Sequence, residues 1–402
     1  MQDKTRIILF FWLLFLAGSA TVPYGSLYYE ELFRSASEPH TIEFITILLA
    51  LFPLLSIFSN PVAGYLADRF QMENRVLFFC SVAVTLGAIL LLIPSTGLLG
   101  EMTGTLTFGF LAAGIIITGL FSGPVFPIVN TETIQYVHHA HEPEGSYGKY
   151  RVHGSISWVV FSLVIGTIIH LTRSFQFVMV IYVAGYALIA LSSRSGMSSR
   201  LKPVKVDLSL LTHDRGFFIF LIFCFLQSAG LFGSLYFTGY FLRDAKLDYL
   251  TIGLAFSLSA LAEIPLMFAA KHLVRWLGNK NLITLGTLFL TLKLAGLVLA
   301  SESGNPFLLI GAMMFNGLGF GLQVTGIINA VDLYAHPHLK ATYFNIYTVL
   351  GANIPMALGL IFNGYLIRIF DSKMMMLVSG IITFTSIVFL LLFVKIPKSR
   401  PA

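Results

Sequence analysis

A chain of 402 residues with 56% hydrophobic and only 11% charged side chains, and a mean hydropathy of +0.83, is not a soluble globule, which carries about 25% charged residues. Its net charge of +6 is spread over loops, which excludes the one-faced basic surface of a nucleic-acid binder. Cys80 and Cys224 lie in apolar runs of different halves, which argues against a structural disulfide.

The first apolar run begins at Ile7 after the stub Met1–Arg6 and continues to about Tyr29. It is too long for a signal-peptide core and lacks a small-residue cleavage site, so it is predicted to be a retained span. Further runs follow at about 43–66, 76–94, 106–131, 152–172 and 175–192, then at about 216–241, 251–270, 281–300, 306–331, 341–366 and 374–395. Each is long enough for a membrane helix. The fifth and sixth are joined by the very short turn Thr172–Phe175 and should form a hairpin. The pattern predicts an all-α membrane protein of twelve transmembrane helices in two pseudo-symmetric bundles, 1–192 and 216–402, joined by a polar linker, 193–215.

Of the 25 basic residues, 18 fall in alternate connections that include both termini and the linker; six lie on the other side, and Lys293 is inside a run. Lys and Arg concentrate on the cytoplasmic side of membrane helices, so both termini are expected in the cytoplasm, and a bacterial inner membrane is the expected location. A weak repeat supports the two halves. Asn60-Pro61 to Arg75 parallels Ile264-Pro265 to Lys280, and Gly148-Lys149-Tyr150-Arg151 parallels His338-Leu339-Lys340. Paired six-helix repeats around a midplane site are a transporter architecture.

Two residues stand out chemically. Glu263 and Lys293 each lie deep in an apolar run, Thr251–Ala270 and Asn281–Ala300. A charge at bilayer depth costs about 2.5–3.5 kcal/mol or more, so such groups normally face a protein interior or an aqueous cavity. At 1.5 Å per residue they lie about 12 Å and 18 Å in from Lys271 and Asn281. A salt bridge or a water-linked pair fits those depths; so does a purely structural ion pair holding two helices in register. Arg151 and Trp158 are two helical turns apart and share a face with Ser155 and Ser162. His138, His139 and His141 cluster beside Glu142 and Glu144, with His336 and His338 in the equivalent second-half loop. These read as solvated loop residues, a metal or pH sensor being the alternative.

Gly64-Tyr65-Leu66-Ala67-Asp68-Arg69 followed by Arg75 resembles the loop signature of the major facilitator superfamily, in which a Gly admits close helix approach and an Asp–Arg pair locks a gate. Ala262-Glu263-Ile264-Pro265, Leu273 to Asn281, Lys293 and Gly317-Leu318-Gly319-Phe320-Gly321-Leu322 resemble its phenylpropionate-permease, nucleoside–proton symporter and lactose permease branch. So do Thr21-Val22-Pro23-Tyr24, Asn60-Pro61-Val62-Ala63-Gly64 and Tyr147-Gly148-Lys149-Tyr150-Arg151-Val152-His153-Gly154. The resemblance implies that Arg151 donates to solute hydroxyls while Trp158 stacks on a solute ring; interfacial anchoring is the alternative for both. It further implies that Glu263 serves in proton coupling and Lys293 stands where relatives carry an arginine. Relatives place an acid three residues after the fourth-span proline, and Asn130 occupies that position here. Glu132 is displaced about 200° around the helix and could still pair with Arg151. The tenth span of relatives holds a titratable His; this chain has Asn316 and Gly319 there, with Gln323 further on, and amides carry no proton.

The expected function is secondary transport of a small polar ring-containing solute (sugar, nucleoside or aromatic acid) by alternating access, by proton symport. Glu263 is assigned to the proton, with Arg151, Trp158, Glu132, Lys293, Asn316, Gln323, Asn345 and Asn353 as solute contacts and Gly64, Asp68, Arg69 and Arg75 as the gate. Partners are the solute, protons and membrane lipids, with no cofactor or metal, and a monomer is expected. The alternatives are a uniporter, a proton-antiport exporter, or a membrane receptor or enzyme on the same scaffold. Against an enzyme stands the lack of any nucleophile or metal-ligand constellation.

Overall fold

The computed structural model describes residues 3–70, 73–141, 147–193, 214–336 and 340–397, with side chains at all but 64–70, 73, 138, 270–271 and 340–341. The side chains of Asp68, Arg69 and His138, the residues Glu142, Glu144 and His338, and nearly all of the 193–215 linker therefore lie outside the described residues. Among the described residues every regular element is helical. Eleven helices are long and apolar enough to cross a membrane, and Gln176–Ser192 is a shorter apolar twelfth. Many large apolar side chains on them are exposed, Phe58, Phe79, Phe268, Leu299 and Leu392 among them, as a lipid-facing surface requires. This is an integral, multi-pass membrane protein.

The chain divides into two compact units, Met1–Lys202 with Tyr236–Ser257, and Pro203–Leu235 with Leu258–Ala402. In the first unit, α1 (Asp3–Ser35) packs on α6 (Tyr147–Thr172) and α7 (Gln176–Ser192), α3 (Glu73–Leu92) on α7 and α4 (Gly104–Ser122), and α2 (Thr41–Phe70) on α4. The fourth span breaks at Gly123-Pro124 and resumes as α5 (Val125–His139), because proline cannot continue the hydrogen-bond ladder. Polar side chains staple helices where lipid offers no competing partner. The Tyr28 hydroxyl donates to Leu91 O at 2.5 Å, Ser157 Oγ to Trp12 O at 2.7 Å, and Ser257 Oγ to Val159 O at 2.7 Å.

α1 runs to Ser35, beyond the end near Tyr29 predicted from hydropathy. Glu30 explains the difference. It is buried yet neutralised, 2.9 Å from Arg34 and hydrogen-bonded by Arg243, whose other Nη reaches Asp244 at 2.8 Å. Burial acts to lower the Arg243 pKa, but its hydrogen bonds and charge contacts with Asp244 and Glu30 outweigh that and hold it above its ordinary value.

The second unit builds on α8 (Arg215–Leu235), which packs on α13 (Ile354–Ile369) and α14 (Ser372–Phe393). The predicted 216–241 span stops at Leu235; the next helix, α9 (Thr238–Asp244), belongs to the first unit. The predicted spans 251–270 and 281–300 both fall within Tyr249–Ser303 (α10), which is two helices divided at the non-helical Gly278, φ +72°, a backbone conformation favoured by glycine. α11 (Pro306–Tyr334) follows.

The eleventh span is not one regular helix. α12 (Lys340–Ile346) passes into a π-helical stretch, Tyr347–Asn353, before α13. Pro355 has no N–H to give to Gly351 O, four residues back. Ser228 Oγ, on α8, donates to that carbonyl instead at 2.6 Å. A freed carbonyl in a membrane helix needs such a neighbour.

Candidate functional site

In the first unit, the opening turns of α6 present Arg151 and Trp158 to α1. The Arg151 guanidinium lies 4.2 Å from the Phe15 ring centre and 5.9 Å from that of Phe126, and Nη1 donates to Ser155 Oγ at 3.5 Å. Trp158 meets Phe15 edge-on, with ring centres 6.1 Å apart at 68°. It lies so close to Gly18 that a methyl group there would be 2.9 Å from its ring. Arg151, Ser155, Trp158 and Phe15 thus form one cluster, a forked donor lying over an aromatic ring.

Glu132 on α5 faces a different partner. It is buried, 3.5 Å from the equally buried Arg6 of α1, and Arg6 is also 3.7 Å from Asp3. Asn130 accepts from the Tyr147 hydroxyl at 2.7 Å. The two polar residues that end the fourth span therefore point to different neighbours, as their offset around the helix requires. Of the gate residues, Gly64 lies within α2, and Arg75 is exposed in the first turn of α3.

In the second unit, Glu263 lies against one side of α11, and the ninth span, which carries Lys293, packs on the other. A methyl group on Gly321 would stand 3.3 Å from Glu263 Cγ, and one on Gly317 would overlap the Ser259 carbonyl oxygen and lie 3.1 Å from Glu263 N. Asn316 Nδ2 donates to Ser259 Oγ, one turn before Glu263, at 3.2 Å. Glu263, Ser259 and Asn316 therefore share the interface of the eighth and tenth spans, where small residues bring two backbones together.

The ninth span meets the other side. Methyl groups on Gly286 and Gly319 would be 2.6 Å from Gln323 N and from Leu290 Cγ, and one on Gly296 would be 3.1 Å from Ala312 Cβ. Lys293, two turns beyond Gly286, continues this stripe toward α11 between the levels of Ala312 and Gly319. Lys293 is fully buried, and its Nζ has no hydrogen-bond partner among the described residues; the Gln323 Nε2, 1% exposed as a residue, has none either. The direct Glu263–Lys293 salt bridge allowed by depth alone is not formed, because α11 separates the two stripes. Asn345 on α12 is exposed, and Asn353 ends the π-helical stretch half-buried.

Sequence reasoning passed over the Arg6–Glu132 pair and the Glu30–Arg34–Arg243 network. The one available signal was Glu30 itself, a carboxylate four residues before Arg34 at the close of an apolar run.

Comparison with known proteins agrees with this architecture. A family model described as the MFS_1 like family matches residues 4–378. A maltose permease of Geobacillus stearothermophilus is 23% identical over 398 residues, 98% of this chain and 95% of that protein. An uncharacterized transporter, YwbF, of Bacillus subtilis (strain 168) is 23% identical over 85% of this chain and 81% of its own length. Among solved structures, a point mutant of the nucleoside transporter NupG superimposes with a TM-score of 0.80 at 16% identity, covering 98% of this chain and all of that one. A D-xylose-proton symporter gives 0.75 at 14% identity, with 100% and 99% coverage.

Proposed function

The chain belongs to the MFS_1 like family and is a transporter of the major facilitator type; on that premise we propose that it carries a small polar ring-containing solute by proton symport. The observation that carries this reading is the Arg151 cluster: a planar donor fork lying over the Phe15 ring, beside the Trp158 ring. Such a group suits the hydroxyls and flat faces of a sugar or nucleoside. Relatives and structural neighbours named for maltose, nucleosides and D-xylose support the same class. In this reading alternating access is exerted by the halves 1–192 and 216–402 of a monomer embedded in lipid. Asn316, Gln323, Asn345 and Asn353 supply polar lining, and Lys293, buried without a described partner, waits for a group that arrives with the solute.

Glu263 is assigned the proton. The buried carboxylates of the first unit, Glu30 and Glu132, lie against arginines, which favours their charged form. Glu263 lies deep in the apolar run Thr251–Ala270 and packs on the glycine surface of α11. The test is transport by Glu263→Gln in proteoliposomes, with internal pH recorded for sugars, nucleosides and aromatic acids. Uphill accumulation should vanish while exchange between equal concentrations persists, since exchange moves no net proton. Normal accumulation by the variant refutes the assignment. Asn316 and Gln323 on α11, neither of which can titrate, favour uniport as the second reading. It prevails if the parent protein moves no protons with any solute it transports.

A further inference from the structure

Inside the first unit is a cavity of about 170 Å³ whose polar equipment is phenolic. Thr21 and Thr118 line it, but their hydroxyls are turned onto Ala17 O and Ile115 O of their own helices. Tyr29 from α1, Tyr182 and Tyr186 from α7, and Tyr236 remain. The first three are each more than nine-tenths buried. Tyr182 and Tyr186 pack edge-on, ring centres 5.1 Å apart. The Tyr29 and Tyr236 hydroxyls have no hydrogen-bond partner among the described residues. No Asp, Glu, Lys, Arg or His belongs to the wall among the described residues.

Buried phenols normally find a partner, and two phenols without a protein partner beside the Tyr182–Tyr186 ring pair define a place for an occupant with hydroxyl groups. Charge excludes some occupants, because a carboxylate or ammonium would be buried here without a counter-ion. A cavity of about 150 Å³ accepts benzene, so about 170 Å³ has room for one six-membered ring.

We propose that this cavity is a binding site for one neutral, hydroxylated ring of monosaccharide size, held by Tyr29, Tyr182, Tyr186 and Tyr236. It is additional to the Arg151–Trp158 contact and stands whether or not that reading survives. The two adjoin at one point: Gly18 lines the cavity, and the Trp158 ring abuts Gly18.

Gly25 provides the test. It lines the cavity, and a Cβ built on it meets no atom within 4 Å, so Gly25→Leu fills the space without displacing a neighbour. The experiment is equilibrium binding of radiolabelled D-glucose, D-galactose and D-xylose to the purified full chain in detergent, with maltose as a two-ring competitor. At least one monosaccharide should bind saturably and resist competition by maltose. Gly25→Leu should weaken it at least tenfold without lowering the unfolding temperature. Tyr182→Phe and Tyr186→Phe, which preserve shape, should each weaken it about three- to tenfold. Binding that persists in Gly25→Leu and in both Phe variants overturns the proposal, as does binding of none of the three sugars.

Discussion

Arg151 is the residue at which sequence and structure meet most closely. Two-turn spacing put it on one face with Trp158, and the structure adds what spacing could not, the Phe15 ring beneath the guanidinium. A lysine there would keep the charge and lose both the planar fork and the stacking. Arg151→Lys should therefore weaken solute binding by about 10- to 100-fold, the range for a hydrogen bond to a charged group. Trp158→Phe should be milder than Trp158→Ala, because part of the aromatic surface against Phe15 survives. Solute affinity measured on membranes decides it, and an unchanged affinity in Arg151→Lys makes both residues interfacial anchors. Glu132 was less legible. Its helical angle showed that it leaves the Asn130 direction, but its neighbour Arg6 lies 126 positions away in sequence, and no local pattern names so distant a contact.

At the scale of the element, the apolar runs were legible because hydropathy over a window is a property of composition. The breaks within them were not, since each depends on which carbonyl is left over and what reaches it. The sequence contains Pro355, yet only the packing of α8 brings Ser228 to Gly351 O. Removing that hydroxyl should strand the carbonyl. Ser228→Ala is expected to destabilise the protein by about 1–3 kcal/mol, read as earlier thermal unfolding in detergent. Pro355→Ala restores an N–H four residues after Gly351, so the double variant should be less destabilised than Ser228→Ala alone. Full stability of Ser228→Ala would show that the carbonyl needs no such donor. The glycines of α11 show the same limit. Gly317, Gly319 and Gly321 read as one motif, but alternate members face the eighth and ninth spans. That alternation is why Glu263 and Lys293, similar in depth, do not pair directly.

For the whole molecule, the two compact units do not coincide with the two runs of six spans, since Tyr236–Ser257 joins the first unit. Tyr24 shows how: its hydroxyl lies 3.3 Å from Ser162 O on α6 and 3.2 Å from Tyr249 O. Hydropathy divides a chain by its longest polar loop, whereas contacts divide it by which helices touch, and a segment can belong to one half by order and the other by packing. Orientation rests on a separate physical basis, the distribution of Lys and Arg among connections, which predicts that both termini and the 193–215 linker are cytoplasmic. Both native cysteines, Cys80 and Cys224, are buried, so a membrane-impermeant maleimide should give little background. Glu101 is exposed just before α4, on the side with few basic residues. A cysteine at Glu101 should therefore be labelled in intact cells, and one at Ser199 only after permeabilisation. Labelling of the Ser199 probe in intact cells, with the Glu101 probe protected, would invert the topology and move the basic-rich connections outside.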